Sequence, residues 1–168
     1  MILPRIYCDM DGVLADFKVA AVRLTGIPIL KWKNLPASKE KWAPIVADKN
    51  FWSTLPWMKG GQQLWRFIKK YRPHILSAYV PNNFDPNCIP GKKKWLRDKI
   101  GLSGTEVNLV TRSEKSNYAK LRSGPAILID DYIRNVKNFN NAGGIGIYHT
   151  DTNRTISELK KLGFWYYK

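Results

Sequence analysis

Short apolar runs at about 2–9, 74–78, 106–110, 126–129 and 144–147 alternate with amphipathic stretches at about 13–24, 61–71, 91–100, 115–122, 132–141 and 155–162. Apolar runs of that length between polar and glycine-rich breaks read as buried strands, and the periodic stretches between them as helices. The alternation predicts an α/β fold, a doubly wound parallel sheet of about five strands with helices on its faces. Gly143-Gly144 suits a helix stop, and Thr155 with Glu158 spells a capping box. The alternation breaks once, over residues 26–60, where Pro28, Pro36, Pro44 and Pro56 accompany Trp32, Trp42, Phe51, Trp52 and Trp57. This stretch reads as a small cap inserted after the first helix, which leaves 1–25 and 61–168 as the core. Most of its aromatics are expected to fill a subsidiary core, with one or two facing a ligand.

With 168 residues, 44% of them apolar, the chain can bury one sizeable core. No stretch approaches the roughly 20 consecutive apolar residues of a membrane span, and the start lacks a signal peptide's pattern, so a cytoplasmic location is expected. Cys8 and Cys88 form no metal spacing and suggest no disulfide framework, and Cys8 reads as a core strand residue. Asn153-Arg154-Thr155 matches a glycosylation sequon by accident if the chain is not secreted. The net charge of +15 favours an anionic partner: a nucleotide, a nucleic acid or an acidic surface. A homodimer is left open.

Acidic residues number only 13, yet four stand as two pairs where apolar runs end. Ile6-Tyr7-Cys8 leads into Asp9-Met10-Asp11-Gly12, and Ala126-Ile127-Leu128-Ile129 leads into Asp130-Asp131. In an extended chain residues i and i+2 point the same way, so Asp9 and Asp11 share one space, and Gly12 allows a sharp turn after them. Ligands of Rossmann-like sheets gather at the carboxyl ends of strands, where a parallel sheet sets the two pairs side by side. Close like charges call for a cation or a shared proton between them.

Asp9 is placed as a nucleophile that attacks phosphorus, and Asp11 as the general acid and base. Mg²⁺ fits an all-oxygen site made by Asp9, Asp130 and the backbone carbonyl near Asp11, with Asp131 supporting that shell. Ser77, ending His74-Ile75-Leu76-Ser77, offers a hydroxyl and an N–H to phosphate, and Lys115 supplies fixed charge. Each has a plainer reading, a helix cap for Ser77 and a solvated lysine for Lys115; their joint occurrence favours the site. The basic helix 91–100 turns Trp95, Leu96 and Ile100 to the core and most charges to solvent. Lys92 is its exception, close enough to reach the phosphate site, and Tyr79 beyond Ser77 has similar standing.

In order along the chain, Asp9/Asp11, Ser77, Lys115 and Asp130/Asp131 resemble the four motifs of the haloacid dehalogenase superfamily of phosphotransferases. Within it the chain looks most like the 5'(3')-deoxyribonucleotidases: Asp9-Met10-Asp11-Gly12-Val13-Leu14-Ala15-Asp16-Phe17 follows their opening motif, and Val110-Thr111-Arg112-Ser113-Glu114-Lys115 resembles their lysine segment. The resemblance implies that Phe17 and Trp52 enclose a base or sugar. It also implies a Mg²⁺-dependent phosphatase acting on nucleoside monophosphates, preferably deoxy forms, through an aspartyl-phosphate. Ser77-Ala78 stands where mammalian members typically carry Thr-Ser. Two alternatives remain: a 3'-phosphatase for DNA or RNA ends, suggested by the basic surface, and a noncatalytic nucleic-acid-binding protein of the same fold.

Overall fold

The computed structural model describes residues 2–165. In chain order its elements are β1 (Ile6–Cys8), α1 (Phe17–Thr25), α2 (Ile29–Lys33), α3 (Lys39–Ala47), α4 (Gly61–Ile68), β2 (His74–Ala78), α5 (Cys88–Ile100) and β3 (Val107–Val110). A two-stranded hairpin of β4 (Lys120–Leu121) and β5 (Gly124–Pro125) follows, then β6 (Ile127–Asp130), α6 (Ile133–Asn141), β7 (Ile145–Tyr148) and α7 (Thr152–Lys161). β1, β2, β3, β6 and β7 form one five-stranded, all-parallel, Rossmann-like sheet in the order β3-β2-β1-β6-β7. No helix among the described residues is long and apolar enough to cross a membrane.

Side-chain alternation sorts the strands onto two apolar faces. Ile6, Cys8, Ile75, Ile127 and Ile129 pack with Leu64, Phe67, Trp95 and Leu159, while Tyr7, Leu76 and Leu128 pack with Ala119 and Phe139. Burial on both faces explains why β1 and β6 are continuous apolar runs rather than alternating ones. Residues 26–60 have no core of their own. Trp32, Ile45, Phe51 and Trp52 join the same apolar cluster as β1, so the expected subsidiary core is continuous with the main one.

Several local expectations are corrected. β1 is three residues long rather than spanning 2–9, because pairing with β6 begins at Ile6↔Ile127 and Pro4 has no N–H to donate. The first helix starts at Phe17, four residues late. Residues 10–15 instead form a tight buried turn in which Leu14 and Ala15 N–H donate to Met10 O, and Asp16 caps the helix by accepting from Val19 N–H at 3.0 Å. The helix expected at 115–122 is a 3₁₀ turn, Ser113–Tyr118, followed by the hairpin. Ser116 Oγ donates back to Ser113 O, the local competition that makes such residues poor helix formers. The last helix is capped by Asp151, which accepts from Arg154 N–H at 2.9 Å, and not by a Thr155/Glu158 box; Thr155 lies inside α7, buried against His149. Gly143, at φ +91°, follows α6 as its predicted stop.

Candidate active site

β1 occupies the centre of the sheet, and its register sets Cys8 beside Ile75 of β2 and Ile129 of β6. Asp9 N–H donates to Ile129 O at 2.9 Å, so the chain leaves the sheet level with Asp130. Asp9 Oδ1 accepts from Met10 N–H at 2.8 Å and faces Lys115 Nζ at 3.2 Å. Buried Asp130 accepts from Lys115 Nζ at 2.7 Å, Asn135 Nδ2 at 3.0 Å and Tyr132 N–H at 2.8 Å. Asp9, Asp130 and Asp131 each offer an oxygen within 4.8 Å of the others. Such convergence needs the turn at Gly12, whose φ is +80° and where a Cβ would lie 2.0 Å from Asp131 Oδ2.

Electrostatic cost is visible in these carboxylates. Burial, then the charges of Asp9 and Asp130, push Asp131 up to about 7. Burial and Asp9 likewise raise Asp130, against the pull of Lys115. Burial alone would depress the Lys115 ammonium, but Asp9 and Asp130 more than reverse this and hold it above its usual range. A divalent cation among the three carboxylates would offset the repulsion that raises Asp130 and Asp131.

Asp11 is turned differently. Its Oδ2 pairs with Lys92 Nζ at 2.6 Å, and its carboxylate lies outside the three-carboxylate group. Its Oδ1 is buried and has no hydrogen-bond partner among the described residues. The side chain keeps 28% exposure and lines an open cavity, and burial raises its pKa despite Lys92. Lys92 is itself 1% exposed and also donates to Ala78 O at 2.6 Å and Ser77 Oγ at 3.1 Å. Among the charges of α5 it alone is buried, while Lys93, Lys94 and Arg97 face solvent. Ser77 is fully buried on β2, and Lys115 follows β3 in the 3₁₀ turn.

Asp9, Asp11, Asp131, Lys92 and Lys115 line a cavity of about 640 Å³, with Ser77 and Asp130 buried outside its lining. Phe17 and Trp52 stack on its wall, 5.3 Å apart and 23° from parallel, and Trp32, Trp42 and Tyr79 also line it. Three of the five inserted aromatics thus face the cavity, against an expectation of one or two; Phe51 is buried behind them and Trp57 packs on Trp95. Trp52 is fixed by its indole N–H, which donates to buried Asp85 at 2.6 Å, and Lys92 Nζ lies 5.2 Å from its ring. Asp85 and Asn135 are site residues that sequence reasoning missed. Asn135 left a faint signal as a polar residue beside Val136 on the apolar face of α6; Asp85 left none.

No protein-family model matches the chain, and no curated protein matches it. Among solved structures it is similar to a hydrolase from Streptococcus pneumoniae TIGR4, with a TM-score of 0.54, 14% identity and coverage of 95% of this chain and 100% of that one. At that identity the likeness shows a shared α/β fold over nearly the full length.

Proposed function

We propose that the protein is a Mg²⁺-dependent phosphatase that hydrolyses deoxynucleoside monophosphates through an aspartyl-phosphate on Asp9. One observation carries this reading: Asp9, held by Lys115 and grouped with Asp130 and Asp131, stands at the floor of an aromatic-walled cavity beside an acid whose second oxygen has no partner. The three carboxylates are hard oxygen donors of the kind Mg²⁺ takes, and the raised pKa values of Asp130 and Asp131 mark a place where positive charge is wanted. When bound, Mg²⁺ would draw charge from the phosphate oxygens.

The remaining steps belong to the chain. Asp9 Oδ2 makes no hydrogen bond among the described residues and is free to attack phosphorus as the ester P–O bond breaks. Asp11, its pKa raised by burial, carries the proton for the leaving alkoxide and afterwards takes one from the water that attacks the phosphoenzyme, releasing phosphate and Asp9. Lys115 keeps Asp9 oriented and offsets its charge, Ser77 offers its hydroxyl to the transferred group, and Lys92 holds Asp11 in place beside it. Phe17 and Trp52 offer flat apolar faces for a base or sugar.

Phosphate release from a panel of nucleotides, sugar phosphates and phosphoamino acids, with and without Mg²⁺, tests the reading. Mg²⁺-dependent release from deoxynucleotides is expected, and Asp9→Asn should lower it by about a thousandfold or more with its circular dichroism unchanged. Absence of release from every nucleotide, or activity retained in Asp9→Asn, overturns it.

A further inference from the structure

The cavity carries more positive charge than a single phosphate requires. Lys92 is committed to Asp11, and Lys115 to Asp9 and Asp130. Lys18 on α1, Lys33 at the end of α2 and Arg112 after β3 line the same cavity. None of these three forms an ion pair among the described residues, although Lys92 and Lys115 both do so in the same site. They come from segments far apart in the chain, so folding itself collects them on one rim.

Gathering three cations around one carboxylate, Asp131, leaves positive charge in excess, and the repulsion is felt here. Lys33 is pushed below its usual range first by partial burial and then by Lys18 and Arg112. Asp131, one of the three grouped acids, pulls the other way but less strongly than burial and Lys18. Arg112 is held in place by the ring of Tyr132, 4.8 Å away. Lys41 adds a fourth charge nearby, with its ammonium donating to Lys33 O and Leu35 O at 3.2 Å each and lying 4.5 Å from the Trp32 ring. Such a rim is a preorganised seat for an anion distinct from the group at Asp9.

We propose that the favoured substrate carries a second phosphate, which sits between Lys18, Lys33 and Arg112 while the scissile phosphate lies against Asp9. The inference rests on the phosphatase reading for its second half and on the rim alone for its first. A nucleoside 3',5'-bisphosphate has this chemistry, and so does an oligonucleotide end whose terminal phosphate neighbours a phosphodiester. The cavity volume is in the range of sites that enclose one small ligand.

Quenching of the cavity tryptophans measures the affinity of Asp9→Asn protein, with Mg²⁺, for a deoxynucleoside 3',5'-bisphosphate, the matching 5'-monophosphate and a short oligonucleotide bearing a terminal phosphate. The bisphosphate should bind about tenfold more tightly than the monophosphate at low salt. That advantage should vanish when Lys18→Gln and Lys33→Gln are added; both side chains are exposed, so the fold tolerates the changes. Equal binding of bisphosphate and monophosphate, or an advantage that survives the two substitutions, overturns the proposal. An oligonucleotide bound more tightly than the bisphosphate through the same lysines identifies a polymer end as the source of the second phosphate; one bound less tightly identifies the small molecule. Turnover of all three ligands by the wild-type protein separates the two readings. If none is hydrolysed while the lysine-dependent advantage persists, the phosphatase reading falls and the second-phosphate seat stands.

Discussion

Asp131 and Gly12 depend on each other. The carboxylate occupies the space a Cβ at position 12 would fill, and the backbone there is left-handed, so Gly12→Ala combines a φ that L-residues avoid with a 2.0 Å clash. The substitution should cost about 2 kcal/mol or more in denaturant unfolding and weaken Mg²⁺ binding in a direct titration; unchanged values of both would show that this close approach does not shape the site. Asp9, Asp11, Asp130 and Asp131 were legible from the sequence because scarce acids ended the most apolar runs, where a parallel sheet concentrates its chemistry. Lys92 was legible only as a candidate. Its burial comes from α5 packing against the turn at Trp52, where a Cβ on neighbouring Gly91 would lie 2.5 Å from Trp52 Cβ, and local patterning carries no trace of such a contact.

Between elements, two hydrogen bonds tie the inserted segment to the loop before α5: Asn87 Nδ2 donates to Val46 O at 3.1 Å, and the Trp52 indole N–H donates to Asp85 at 2.6 Å. Asp85 is fully buried, accepts the Trp52 indole N–H and also accepts from Asn87 N–H at 2.9 Å. Truncation by Asp85→Ala leaves both donors buried or half-buried without partners, and should cost about 2–3 kcal/mol. Because Trp52 lines the cavity, KM for a nucleotide should rise about tenfold while kcat changes less; a KM that stays at the wild-type value would sever the link between Asp85 and the ligand wall. The partners are 33 positions apart, which is why sequence patterning exposed the aromatic segment but not what anchors it. Strands and long helices were readable from periodicity. The 3₁₀ turn and hairpin over 113–125 were not, since Ser113 and Ser116 bond locally there and the segment is too short for periodicity to decide.

Over the whole molecule, the fold carries a net charge of +15 and places both histidines in buried or half-buried positions. Burial lowers His149 below its ordinary 6.5, more than Asp151 raises it, and burial also lowers His74. A depressed histidine lets the unfolded chain take up a proton first, so its contribution is whole above about pH 6.5 and is lost as pH falls toward the folded value. The raised carboxylates act in the opposite direction across part of this window, and a variant isolates the histidine term. His149→Gln, whose amide can still meet Thr155 Oγ1, should lose less stability than wild type between pH 7 and pH 5 in urea unfolding; parallel curves would place the titration elsewhere. Rim, floor and aromatic wall of the cavity come together only in the folded chain, with the sheet setting Asp9 beside Asp130 and the inserted segment supplying Trp32, Trp42 and Trp52 to the wall. The claim on which this account turns is that Asp9 takes the phosphoryl group. Acid quenching during turnover of a deoxynucleotide with Mg²⁺, followed by peptide mass spectrometry, tests it most directly: the account predicts a phosphoryl group on Asp9, and phosphate release with that residue unmodified, or with the label on another side chain, would contradict it.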